Sequence, residues 1–253
     1  MRLRFFSLEF PSLPATFDRY TIVFASDFHV RRIGRYENKV LEVLASLRGN
    51  LLILGGDYQN HRKKSAGSAM AFVDAVGEFA AHFADGIVAV RGNHDSRPMR
   101  GHLKRHGAIR YLSGTSLVIE REGAKIAISG ARKWPKKERE RMNRAVRRLV
   151  MSIPDAVSFR ILVAHWPDYY PAAQQAVFDL VLSGDTHGGQ VRLPLIGPLV
   201  RKTRMPRRYV YGFVREGQTT LYTTSGLGTR GLPLRLFCPS EIVVLELRAR
   251  NSV

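Results

Sequence analysis

Five apolar runs, each ending in a polar or glycine-marked turn, constrain this chain more than any other feature. They are "YTIVFAS" at 20–26, "NLLILGGD" at 50–57, "GIVAVRGNHD" at 86–95, "FRILVAH" at 159–165 and "FDLVLSGD" at 178–185. Short apolar runs bounded by turn signals read as buried strands. Helical spacing lies between the first three: Val40, Leu41, Leu44 and Leu47, then Phe72, Val73, Val76, Phe79, Ala80 and Phe83. The resulting β-α-β-α-β order predicts parallel strands in a first sheet.

The pattern then changes. "SLVIERE" and "AKIAISG" around Gly123 predict an antiparallel hairpin, a basic helix follows at about 136–150, and "RRYVYGFV", "TTLYTTSG" and "SEIVVLELR" predict closing strands. Neither a linker-like composition shift nor an internal repeat divides the chain. One domain over 1–253 is expected, of α/β class (α+β in some schemes), with two sheets and helices outside.

With 45% hydrophobic residues there is ample material for a core, and the single cysteine, Cys238, excludes an internal disulfide and a multi-cysteine zinc site. Cys238 is expected as a small buried hydrophobe. "RLRFFSLEFPSLPATF" after Met1 has neither a long apolar core nor a small-residue cleavage site, so no signal peptide is expected. No run approaches a membrane span, and the expected location is the cytoplasm, peripheral on the inner face of the membrane. Forty Lys and Arg against 21 Asp and Glu give a net charge of +19, which favours anionic partners: a phosphorylated substrate, an acidic lipid surface or nucleic acid.

The polar residues at the carboxyl ends of the five runs are Asp27 and His29, then Asp57, then Asn93, His94 and Asp95, then His165, then Asp185 and His187. The crevice beyond strand carboxyl ends is where open α/β sheets bind ligands. Oxygen donors mixed with imidazoles suit Mn²⁺, Fe²⁺ or Zn²⁺. Singly, each Asp also reads as a turn former or helix cap and each His as a core or surface residue; the ordered set favours the metal reading.

In this order "DFH", "GGD", "GNHD", "AH" and "GDTHGGQ" resemble the calcineurin-like metallophosphoesterase family, over roughly residues 20 to 247. The tail from "RRYVYGFV" to "IVVLELR" is similar to a bacterial branch with membrane-associated phosphodiesterases and UDP-2,3-diacylglucosamine pyrophosphatases. The resemblance implies a four-layer αββα sandwich of two mixed sheets packed face to face. It implies two divalent ions, with Mn expected and Fe, Zn or Mg as alternatives. One would be held by Asp27, His29, Asp57 and His187, and the second by Asp57 as a bridge with Asn93, His165 and the position of Asp185. The family carries histidine at that last position; this chain carries aspartate. Three outcomes are open, in order of expectation: a functional variant site, a weakened second ion, or an inactive scaffold.

The implied reaction is hydrolysis of a phosphodiester or diphosphate, possible substrates being lipid-linked or nucleotide-sugar compounds at the membrane surface. His94 is the candidate acid for the leaving oxygen, with Asp95 orienting its imidazole. A nuclease or nucleotide phosphodiesterase is the alternative enzyme, supported by the charge but lacking a recognisable DNA-reading module. Two segments bear on the membrane. The basic helix has Met142, Ala145, Val146, Leu149 and Val150 on one face, amid Lys136, Lys137, Arg139, Arg141, Arg144, Arg147 and Arg148. It is expected to pack on a sheet rather than lie on lipid. "VRLPLIGPLV" at 191–200 is either an apolar rim or a rigid loop packed on the body.

Overall fold

The computed structural model describes residues 1–60, 65–132, 134, 138–231 and 233–250. In chain order the strands and helices are β1 (Arg2–Phe10), β2 (Tyr20–Ala25), α1 (Arg35–Ser46), β3 (Leu51–Leu54), α2 (Ala66–Gly77), β4 (Ile87–Ala89), α3 (Arg97–Arg105) and β5 (Ile109–Tyr111). Then come β6 (Thr115–Arg121), β7 (Ala124–Gly130), α4 (Arg139–Met151), β8 (Val157–Val163), α5 (Tyr170–Gln175) and β9 (Leu180–Ser183). The short strands β10 (Arg192–Leu193) and β11 (Gly197–Pro198) precede β12 (Gly212–Glu216), β13 (Thr219–Thr223) and β14 (Glu241–Ala249).

The strands read as unbroken apolar runs because alternate side chains enter two different cores. Ile22, Phe24, Leu51 and Ile53 face a central core shared with Ile126, Ile128, Ile161, Val163, Leu180 and Leu182 of the opposite sheet. Their neighbours Val23, Ala25, Leu52 and Leu54 face an outer core with Val40, Leu44, Phe72 and Val76 of α1 and α2 and Leu103 of α3. On the far side Ala127, Leu162 and Val181 pack against Met142, Val146 and Leu149 of α4 and Ala172 and Ala173 of α5. Three apolar layers thus separate four structural ones, α, β, β and α. Fully burying one such side chain contributes about 1.5–3 kcal/mol.

The first sheet has the order β1-β14-β2-β3-β4-β5, antiparallel only where β14 meets β2; the second runs β12-β13-β9-β8-β7-β6, antiparallel at its two outer pairs. Both are mixed, and the adjacent parallel strands β2, β3 and β4 in one and β8 and β9 in the other bring their carboxyl ends to the same edge of the sandwich.

Three elements were hidden in the sequence. The segment after Met1 is a nine-residue edge strand parallel to β14, α3 shows only Met99 and Leu103 as buried residues amid its charges, and β5 is three residues long. The second helical stripe stops at Gly77, a weak helix former, and continues as a 3-10 turn at Ala80–His82 that still buries Phe83. "RRYVYGFV" likewise starts as a 3-10 turn and becomes a strand only at Gly212, whose φ is positive. In α4 the apolar face is covered by the sheet, as expected; Lys136 and Lys137 lie outside the described residues.

One buried carboxylate ties the sheets together beside the strand ends. Glu241, at the start of β14, is fully buried. Its Oε1 accepts from Tyr222 Oη at 2.8 Å, Thr224 Oγ1 at 3.0 Å and the Ser225 amide at 3.0 Å; Oε2 accepts from Tyr211 Oη at 2.9 Å and pairs with Arg4 Nε at 3.1 Å. Replacing Glu241 by Leu strands several buried donors at once, so Glu241→Leu is expected to lower unfolding free energy by about 3–5 kcal/mol. Urea denaturation checks this, and a midpoint equal to wild type would contradict it.

Candidate metal centre

Strand ends alone do not aim side chains at a common point; the backbone after them does. Asp27, His29, Asp57, Asp185 and His187 all have left-handed φ, between 46° and 66°. Each costs roughly 1–2 kcal/mol relative to ordinary backbone, a strain held by cross-links between turns. The Asp27 amide donates to Gly56 O and the His29 amide to Asp57 O, both at 2.9 Å, while the Gly228 amide donates to Asp27 O at 2.6 Å. Glycine is needed where turns crowd together: a Cβ on Gly92 would stand 2.1 Å from Asp57 Oδ1, and one on Gly226 2.6 Å from Asp27 Cβ.

The side chains converge in two buried triads that share Asp27: Asp27 with His29 and His187, and Asp27 with Asp57 and His165, the ligand atoms within each triad lying within 4.8 Å of one another. His29 Nε2 lies 3.1 Å from His187 Nε2 and 3.5 Å from Asp57 Oδ2; His165 Nε2 lies 3.3 Å from the same Oδ2 and 3.8 Å from Asp185 Oδ1. Two ligands each about 2.0–2.2 Å from one ion stand roughly 3–3.5 Å apart, so this spacing fits metal ligands. His165 gives a second test of fit. Its Nδ1 meets the Gly55 carbonyl at 2.7 Å, which orients the ring, and its buried Nε2 faces the carboxylates, 3.3 Å from Asp57 Oδ2. A carbonyl behind and carboxylates in front is the usual setting of a metal-bound imidazole.

The charges reinforce this. Burial pushes Asp27 up to about 7, helped by Asp57 and Asp185 and opposed by His165. Burial also opposes charge on His165, but Asp57, Asp27 and Asp185 outweigh it and raise the imidazole to about 10. Asp57 is held below its usual range: burial works against its charge, and His165, His29 and His94 overcome that. His29 falls to about 3 and His187 also falls, in both cases mainly through burial. A pocket with three carboxylates thus keeps a proton on His165 until a cation replaces it.

Asn93 accepts from the Trp166 indole at 3.0 Å through Oδ1. The half-buried His94 sends its amide to Asp57 Oδ1 at 2.7 Å, and its ring lies 5.0 Å from that of His29. Asp95 corrects an expectation. Its carboxylate accepts the amides of Asp57, Tyr58 and Gly92 at 3.0, 2.8 and 2.7 Å, clamping two site loops, whereas His94 Nδ1 faces the Asn60 carbonyl at 3.3 Å. Three inward-facing backbone amides outcompete one imidazole because an unpaired buried N–H is costly. Cys238 is buried as expected, its thiol 3.2 Å from the His187 carbonyl.

Sequence reasoning missed two cations. Lys202 lies close enough to Asp185, Asp27 and Asp57 to feel all three, and with Arg230 it lines a cavity of about 200 Å³ beside Thr186 and Gln190. Lys202 stands in the basic run "RKTRMPRR" at 201–208, where nothing in the sequence singles it out from its neighbours.

The model of the calcineurin-like phosphoesterase family matches residues 20–189. This chain belongs to that family. It is 27% identical to the uncharacterized metallophosphoesterase YkuE of Bacillus subtilis, over 94% of this chain and 82% of that one. It is 29% identical to the phosphodiesterase YaeI of Escherichia coli, over 90% and 82%. Among solved structures, the NAD nucleotidase of Haemophilus influenzae aligns with a TM-score of 0.47 and 14% identity, over 82% of this chain and 45% of the other. The family is metal-dependent, and the residues of the two buried triads are its candidate metal ligands here.

Because His165 must lose a proton to bind a cation, and Asp27 shares one near neutrality, Mn²⁺ binding at pH 7 is expected to release about one to two protons. Affinity should therefore rise with pH. Calorimetry in buffers of different ionisation enthalpy measures the release; binding without it would contradict the assignment.

Proposed function

We propose that the chain is a dinuclear metal-dependent phosphohydrolase that cleaves a phosphodiester or diphosphate, of a lipid-linked or nucleotide-sugar substrate. The observation that carries this reading is the position of Asp57, whose Oδ2 reaches toward His29 and His165 at 3.5 and 3.3 Å and so can be shared between two ligand groups. One ion would be held by Asp27, His29, Asp57 and His187, the other by Asp57, Asn93, His165 and Asp185. Bound divalent ions supply charge neutralisation for the phosphate and activation of a water.

The protein's own groups do the rest. His94 carries its buried Nε2 without a hydrogen-bond partner, and the Asn60 carbonyl faces Nδ1, so the imidazolium form can keep one proton anchored and offer the other to the leaving oxygen. Burial lowers His94, and a phosphate anion beside it would favour the cationic form again. Lys202 and Arg230 provide positive charge for non-bridging phosphate oxygens. A cavity of about 380 Å³ next to His29, lined by Phe28, Tyr36, Leu227 and Arg235 among others, leaves space for the rest of the substrate.

A second reading rests on one residue. Asp185 stands where the family carries histidine, which supports a non-catalytic scaffold if the aspartate fails to complete a seat. Its Oδ1 nonetheless lies within the site, 3.8 Å from His165 Nε2, and an aspartate oxygen is itself a good donor to Mn²⁺ or Mg²⁺.

Turnover of a nitrophenyl phosphodiester with Mn²⁺ is expected in the wild type. Zero turnover with Mn²⁺, Mg²⁺, Fe²⁺ and Zn²⁺ alike, restored by Asp185→His, would establish the scaffold instead. His94→Ala should cut kcat by about 10²–10⁴ at unchanged metal content, more for a poor leaving group than for nitrophenol. Unchanged kcat would remove the acid role.

A further inference from the structure

The hairpin that follows the last site loop is built unlike a loop meant for water. Leu195 at its tip is completely exposed, and Ile196, Leu199 and Val200 are each more than half exposed. Beside them runs the segment carrying Leu236 and Phe237, the latter 67% exposed, joined through Arg192 N to Leu236 O and Leu236 N to Gln190 O, both 3.0 Å. The two segments form one apolar surface. Contiguous exposed apolar groups with a polar rim mark an interaction site.

The rim identifies the partner by its charge. From residue 186 to 240 the chain has nine Lys and Arg and a single acid, Glu216. Arg201, Arg204, Arg207 and Arg230 are exposed, and Arg230 lines a cavity together with Val200. The Arg207 guanidinium reaches the Ile196 carbonyl at 3.2 Å, placing a cation at the hairpin tip itself. Apolar side chains projecting beside cations match an anionic bilayer, in which the former enter the acyl boundary while the latter meet the headgroups. The basic helix α4 does not compete for this role, because its apolar face is covered by the second sheet.

The patch also touches the metal centre. A Cβ on Gly189, two residues after His187, would stand 2.3 Å from Pro198 Cβ, so the hairpin is seated directly on the site loop. Both contribute to one cavity, lined by Gly189 of the site loop and Val200 of the hairpin together with Val191, Lys202 and Arg230.

We propose that the 192–200 hairpin and the 234–237 segment dock this protein on an anionic lipid bilayer, with the metal centre facing the headgroups. The docking stands apart from catalysis; that the substrate is a phosphate-bearing lipid drawn from the bilayer rests on the phosphohydrolase reading above.

Vesicle co-sedimentation of the full chain tests the surface. Wild type is expected to pellet with phosphatidylcholine vesicles containing phosphatidylglycerol, and weakly with phosphatidylcholine alone. The double variant Leu195→Glu/Phe237→Glu should lose at least tenfold in vesicle affinity while hydrolysing a soluble nitrophenyl phosphodiester at the wild-type rate. Phe5→Glu, which places a carboxylate on the exposed edge strand β1, should bind far better than the double variant. Wild type that ignores anionic vesicles at low salt would overturn the proposal, as would a double variant that binds them fully. So would a wild-type dimer that fails to bind vesicles and falls apart in the double variant, which would make the patch a contact between copies of this chain. If the soluble phosphodiester is not hydrolysed by wild type while vesicle binding behaves as stated, the catalytic reading fails and the docking surface stands.

Discussion

Three carboxylates, those of Asp27, Asp57 and Asp185, are held almost entirely away from water within one crevice. Burying that much like charge is unfavourable unless positive charge is brought with it. In the polypeptide alone the compensation is incomplete: His165 retains a proton, Asp27 is pushed to about 7, and His29 and His187 are kept neutral by their burial. Metal ions would resolve the conflict, turning mutually repelling groups into ligands and giving a reason for five residues to occupy left-handed backbone.

The sandwich supplies the rigidity that this arrangement needs. Parallel strands from both sheets end at one edge, and the turns that follow are cross-linked backbone to backbone. Asp95 and Glu241 act as fasteners of different reach. Asp95 binds amides of two neighbouring loops of the first sheet, and Glu241 joins the start of β14 to Tyr222 and Thr224 of the second. Neither has to touch a substrate to matter, since a ligand displaced by an ångström no longer shares an ion.

Periodicity made much of this visible in the sequence. Residues 20–25, 51–54 and 180–183 are recognisable as strands because both of their faces are buried, and the five polar strand ends pointed at the crevice. What stayed hidden follows from the same physics. The edge strand β1 has exposed residues alternating with partly covered ones, and α3 shows only two buried residues as a helical signal. Asp95 beside His94 suggested an orienting carboxylate; its actual partners are backbone amides, which carry no sequence signal. Lys202 comes to the site from a loop whose path is set by long-range packing, so its neighbours Asp27, Asp57 and Asp185 could not be inferred from spacing.

The same long-range packing places the apolar hairpin against the last site loop, beside the candidate metal centre. Anomalous scattering from crystals grown with Mn²⁺ tests the central claim most directly. The account predicts two peaks, about 3.5–4 Å apart, on either side of the Asp57 carboxylate, with Asp27, His29 and His187 around one and Asn93, His165 and Asp185 around the other. A single peak, or ions bound without Asp57, would contradict it.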